Sequence, residues 1–177
     1  MRTLSSDSKI ARLTADAIFV AAALILSYVE AIFPLSPLPL PGFRAGLANI
    51  AVVAACFRYT VRDGAAVSLC RILLQFFLFA NPTSFLFSLS GGMCVILLLW
   101  GWKRSFFARR CSFIGLSVLC AASHNLGQIG AGCLLLGPAV LAYLPAIFAA
   151  SLFYGTLSGI LLNLLSPVLV SKGNHQP

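Results

Sequence analysis

Apolar residues run almost unbroken from Ala15 to Leu165, and the polar gaps between the runs are short. Runs of this length exceed what strands need and read as helices. The pattern predicts six of them, over residues 12–33, 45–57, 63–79, 84–102, 112–136 and 139–168. Most approach the ~20 apolar residues that a membrane crossing requires. The connector "PLSPLPLPGF" at 34–43 cannot be regular helix, because its prolines lack amide donors. The second stretch is short. Its roughly 13 residues rise about 20 Å, against a hydrocarbon core of ~30 Å. The connector is therefore expected to dip into the bundle, where protein or a watery cavity can surround irregular backbone. Pro145 is expected to bend the last helix or mark its start.

Composition turns this pattern into a class. The chain has 177 residues, 60% hydrophobic and only 9% charged, with mean hydropathy +0.98. A soluble domain of that length carries far more charge. The expectation is an all-α, polytopic membrane protein, a six-helix bundle forming one integral membrane domain over residues 1–177. Arg2, Lys9 and Arg12 ahead of an apolar run resemble a signal peptide. The run is long for that role, and further apolar spans follow it.

The net charge is +8. Its placement argues against nucleic acid, since no basic stripe is interleaved with aromatic residues. With six crossings and a cytoplasmic N-terminus, ten of the 12 basic residues fall on the inner side. Those ten are Arg2, Lys9, Arg12, Arg58, Arg62, Lys103, Arg104, Arg109, Arg110 and Lys172. Arg44 lies outside and Arg71 within a span. This asymmetry predicts an N-in, C-in topology. The six cysteines form no CxxC pair and mostly sit in apolar runs. There they read as reduced, small hydrophobes.

Polar residues inside the spans carry the candidate chemistry. Arg71 falls about 13 Å from the inner end of its helix, near the midplane. A charge at that depth needs an interior partner or a ligand. Gln75 follows one turn outward on the same face. In "SHNLGQ", His124 and Gln128 are spaced i, i+4, and Asn125 and Gln128 i, i+3, giving one polar face at a similar depth. Glu30 and Arg44 enter from the outer side, with Asn49 about one turn into the second span. Amide groups at the start of that span, with Arg44 beside them, offer a seat for an anion. The estimated depths of Glu30 and Arg71 differ by about 14 Å, so no direct ion pair is expected between them. The candidate ligand-binding residues are Arg44, Asn49, Arg71, Gln75, His124, Asn125 and Gln128, around a pocket opening outward. Asn163 is assigned instead to bonding between helices.

Ala17 and Ala21 form a small-xxx-small face suited to close helix approach, either within the bundle or against a partner. "SLSGGM" at 88–93 is expected to permit close packing or to break the fourth helix. Searches for catalytic sets fail. The four acids Asp7, Asp16, Glu30 and Asp63 are isolated, and there is no zinc-ligand spacing and no Walker motif. No enzyme, metal or cofactor is predicted.

Taken together, "PGFRAGLANI" (41–50), "RILL" (71–74), "SLSGG" (88–92), "HNLGQ" (124–128) and "YLP" (143–145) resemble the bacterial Gx transporter family, also labelled heptaprenyl diphosphate synthase component I. The likeness spans nearly the whole chain. It implies a fold similar to the substrate-binding S components of energy-coupling factor transporters, in the bacterial cytoplasmic membrane. Such proteins capture micronutrients from outside. They dock on a transmembrane coupling subunit driven by two ATPase subunits, often through an alanine-rich face that Ala17 and Ala21 match. The expected partners are thus a small-molecule substrate, the coupling and ATPase subunits, and the bilayer. The synthase label implies a second reading, a membrane partner of a polyprenyl diphosphate synthase or redox enzyme with no ligand of its own. The chain lacks the aspartate-rich DDxxD motif with which such synthases hold magnesium and diphosphate.

Overall fold

The computed structural model describes the backbone of residues 3–32, 44, 46–105 and 112–170, and side chains between residues 9 and 167 of these. The proline-rich stretch 34–43, expected to dip into the bundle, lies outside the described residues. So do Arg2, Phe33, Ala45, Arg109, Arg110, Cys111 and Lys172.

Among the described residues, six α-helices follow in order: α1 (Thr3–Ile32), α2 (Asn49–Arg58), α3 (Val61–Phe79), α4 (Pro82–Arg104), α5 (Phe113–Leu136) and α6 (Leu144–Val170). A 3₁₀ turn over Pro138–Tyr143 leads into α6. Local chemistry sets most of these boundaries. Thr60 and Asp63 cap α3 reciprocally, each side chain meeting the other's backbone N–H. Asn81 caps α4 and Pro82 occupies its first position, where a missing N–H costs nothing. Ser112 caps α5 through the Gly115 amide. Pro145 stands at the second position of α6, so it marks the helix start. Gly91 and Gly92 leave α4 unbroken and act as packing positions.

Among the described residues, four stretches are long and apolar enough to cross a membrane: Lys9–Ile32, Pro82–Arg104, Phe113–Leu136 and Pro138–Pro167. α3 is 19 residues long but carries Arg62, Asp63 and Arg71. α2 has only 10 residues. It starts four residues later than the hydrophobic pattern suggests, because Gly46 to Ala48 approach it as irregular chain and turn.

Neighbouring helices pack in the order α1, α3, α4, α5, α6, and α2 touches α1, α3, α5 and α6. Every residue of α2 from Asn49 to Cys56 is buried. A helix that is apolar all round must be enclosed by others, and α2 is. The outer helices turn large apolar side chains outward, among them Leu13, Phe77, Leu134 and Leu164, as lipid contact demands. The beginnings of α1, α3 and α5 and the ends of α2 and α4 meet at one end of the bundle. Arg12 pairs there with Asp63, Lys103 Nζ donates to the Cys56 carbonyl at 2.6 Å, and Phe57 meets Phe113 edge-on at 5.2 Å.

Glycines let α5 and α6 approach closely. A Cβ on Gly155 would lie 2.6 Å from Val118 Cα, and one on Gly159 would lie 2.5 Å from Ile114 Cα. Cys56, Cys70, Cys94, Cys120 and Cys133 are unpaired thiols. Asn163 is exposed on α6 rather than bonded between helices, as its position had suggested.

Candidate functional site

The polar residues of the spans converge. Arg71, Gln75, His124, Asn125, Gln128, Asn49 and Glu30 are all buried, none more than 6% exposed. Burying this many amides and charges in an apolar bundle is tolerable only if they satisfy one another or a guest.

Gln128 and Arg44 form the first link. The Arg44 N–H donates to Gln128 Oε1, and Gln128 Nε2 donates to the Arg44 carbonyl, both at 3.2 Å. Gln128 Nε2 also lies 2.6 Å from His124 Nε2, one turn earlier. The amide can only donate there, so His124 Nε2 accepts and the proton of the neutral ring sits on Nδ1. Gly91 admits the imidazole, because a Cβ there would lie 2.5 Å from Cε1 and Nδ1. Gly46, in a left-handed conformation at φ 88°, carries the chain past the other edge of the ring.

The Arg44 guanidinium reaches across the bundle. Nε donates to Ser84 Oγ at 3.1 Å and Nη1 to the Ser27 carbonyl at 3.0 Å. With its amide oxygen turned toward the guanidinium, Gln75 accepts from Nη2 at 2.5 Å and from Nε at 3.1 Å. Arg44 is thereby held by acceptors from α1, α3 and α4. Its charge serves to hold the chain in place at Arg44.

Arg71 differs. Nη1 donates to Ser27 Oγ at 3.2 Å, but Nε and Nη2 are buried without a protein partner. Ser27 stands three residues before Glu30, about 4.5 Å of helix rise. The Arg71 guanidinium therefore reaches outward to the Ser27 level, closer to Glu30 than the separation of about 14 Å in depth along the helix axes implies. Among the described residues the one ion pair within 4.0 Å is still Arg12–Asp63.

Glu30 occupies the seat for an anion expected at the start of α2. Its Oε1 accepts from the Leu47 amide in the turn that opens the helix. The protein thus supplies the anion itself. Asn49 begins α2 with its amide beside Gly46, which also borders the His124 ring, and neither of its side-chain polar atoms has a protein partner. Asn125 goes elsewhere: its Nδ2 donates to Ser151 Oγ on α6 at 2.7 Å, away from the Arg44–Gln128 link.

The seven predicted residues therefore fall into three groups. Arg44, Gln75 and Gln128 are committed to one another. Asn125 joins α5 to α6 through Nδ2, with its Oδ1 left unpartnered. Arg71, His124 and Asn49 retain free polar atoms, as does Glu30, whose Oε2 is unpartnered. Two voids of about 10 Å³ touch this cluster among the described residues, one beside Gln75, Ser84 and Ser88, the other beside Asn49 and Ser117. Sequence reasoning missed Ser27, Ser84 and Ser151. Single hydroxyls in apolar helices carry no periodic signal. Ser27 was nonetheless legible as the residue one turn before an intramembrane glutamate.

The other two predicted residues lie on the surface. Ala17 and Ala21 are exposed on the outer face of α1, so they do not serve packing inside the bundle.

A bundle of apolar helices with buried arginine, glutamate, histidine and amides at its centre defines a multi-pass membrane protein with an interior polar site. A family model fits this chain over residues 19–165, a span that includes every element of that site. The chain belongs to the family of heptaprenyl diphosphate synthase component I. Neither the curated proteins nor the solved structures gave a match.

Proposed function

We propose that this chain is the substrate-binding membrane subunit of an uptake transporter of the energy-coupling factor type. It forms one integral domain crossing the bacterial cytoplasmic membrane six times, with both termini inside. The alternating helix directions and the basic residues gathered at one end support that topology. α2 covers the inner part of its crossing, and the turn at Gly46 to Ala48 extends it outward. The chain binds and hands over a solute; it does not catalyse.

One observation carries the reading. Arg71 Nε and Nη2, Glu30 Oε2 and His124 Nδ1 are each buried in the interior cluster without a protein partner. Each such group costs about 1–3 kcal/mol when left unsatisfied, and more when charged. A guest that supplies hydrogen bonds would recover that cost. It would be a small molecule offering acceptors to Arg71 and His124 and a donor to Glu30. Entry would require the Arg44 segment to lift from Gln128, since the voids beside the cluster hold only about 10 Å³ each. Ala17 and Ala21 would face the coupling subunit, to which the two ATPase subunits attach.

Purified protein screened by thermal shift against small anionic and zwitterionic metabolites tests the proposal. A stabilising ligand should lose at least tenfold in affinity with Arg71→Ala or His124→Ala. Unchanged affinity in both variants would reject the site.

The family description suggests a component of a heptaprenyl diphosphate synthase complex, which motivates a second reading, a membrane partner of a polyprenyl diphosphate synthase. Affinity purification from the native membrane separates the two. A soluble synthase in the complex, without ATPase subunits, would support the second.

A further inference from the structure

A separate polar spot lies between α2, α5 and α6. Asn49, Ser117 and Ser158 line a void of about 10 Å³, together with Cys120 and Leu162. Asn49 is 5% exposed and Ser117 4%. Both Asn49 amide atoms and Ser117 Oγ are buried without a protein partner. A dry void between these groups would leave a donor, an acceptor and a hydroxyl all unsatisfied in the middle of an apolar bundle, which is costly. The volume matches one water, and a buried water needs two to four polar partners.

We propose that this void is a hydration site holding a single structural water, which bridges the first turn of α2 to α5. The chemistry selects water over a cation. Asn49 presents a free N–H as well as a free carbonyl, and only a molecule that both donates and accepts satisfies the two. No carboxylate lines the void to offset a bound positive charge. The site is independent of solute binding at Arg71 and His124, although Asn49 borders both. The water joins α2 to α5 where direct side-chain bonds are missing, and so fixes the helix that carries the Asn49 end of the cluster.

The sign of a stability change tests this. In a dry void, Ser117→Ala removes an orphaned hydroxyl and leaves the unfolding midpoint unchanged or raised. With a bridging water it strips one of the water's partners, and the midpoint falls, by about 2–4 °C for each hydrogen bond lost. The wild-type chain provides a second readout. Radiolytic hydroxyl labelling in detergent should modify Cys120, which borders the void yet is only 2% exposed. A raised or unchanged midpoint, or an unlabelled Cys120, overturns the proposal. A midpoint that rises with sodium but not with choline overturns it in favour of a cation.

Discussion

The Gln128 side chain holds the backbone of Arg44 by both its N–H and its carbonyl, each at 3.2 Å. A glutamine thus gives a non-helical segment the pair of hydrogen bonds that a neighbouring strand would give. Gln128→Leu removes both and leaves two backbone groups unsatisfied in an apolar setting. The expected loss is about 2–4 kcal/mol of stability, from about 1–2 kcal/mol per orphaned group. Amide exchange should accelerate at residues 46–48 first. Chemical unfolding in mixed micelles, with exchange read by mass spectrometry, checks both. Gln128→Glu should fail nearly as badly, because a carboxylate cannot donate to the Arg44 carbonyl or to His124.

The α5–α6 contact should tolerate no added carbon. At Gly155 and Gly159 the obstacle is helix backbone, which cannot rotate aside. Gly159→Ala is expected to cost about 1–3 kcal/mol through forced separation of the helices. Gly101 is the control, since nothing lies within 4 Å of a Cβ placed there. Gly101→Ala should be neutral, or stabilising by up to about 1 kcal/mol through helix propensity. Unfolding midpoints of the two variants, measured side by side, decide the matter.

These contacts show what one-dimensional patterning carries and what it loses. Helix identity and order were legible because apolar runs broken by prolines, caps and charges leave few alternatives. The boundary of α2 was not. Apolar character continues from Gly46 to Ile50, whereas the helix waits for Asn49, held off by a left-handed Gly46 and by the Glu30 carboxylate on the Leu47 amide. The polar cluster was legible as a set, because charges and amides in apolar helices stand out. How its members pair was not. Arg44 and Arg71 look alike as cations in sequence. Yet one is fully engaged by Ser27, Gln75 and Ser84, while the other keeps two free donors. That distinction depends on which helix stands opposite, which spacing along one chain does not record. Asn125 sits beside His124 in sequence but about 100° round the helix, and it finds Ser151 instead.

The exposed face of α1 should separate binding from folding. Ala17 and Ala21 touch lipid or a partner, not the bundle. Ala17→Leu with Ala21→Leu is expected to change stability by less than about 0.5 kcal/mol per site. On the proposed function, the same pair should abolish recovery of the coupling and ATPase subunits from native membranes, because a bulky side chain blocks close helix approach. Unfolding midpoint and subunit recovery, taken on one preparation, test this. Full recovery of the subunits would remove this face from consideration as the docking surface.

At the opposite face of the same helix, Arg12 and Asp63 invite an argument from charge that the geometry reverses. The Arg12 side chain is 44% exposed, and exposed pairs contribute about 0.2–1 kcal/mol. Asp63 has a second task. Its carboxylate accepts from the Thr60 N–H at 2.8 Å, while Thr60 Oγ1 accepts from the Asp63 N–H at 3.4 Å. That box satisfies two amide donors at the start of α3, and loss of a cap typically costs about 0.5–2 kcal/mol. Asp63→Ala should therefore destabilise more than Arg12→Ala, by roughly the worth of the cap. Salt should separate the two effects. Raising ionic strength should shrink the Arg12→Ala penalty, since the pair is screened over about 10 Å at 0.1 M. The residual penalty of Asp63→Ala should persist, because a hydrogen-bonded cap is not a long-range charge effect. Equal penalties that vanish together in salt would mean that Asp63 acts through Arg12 alone and that the cap contributes nothing to α3.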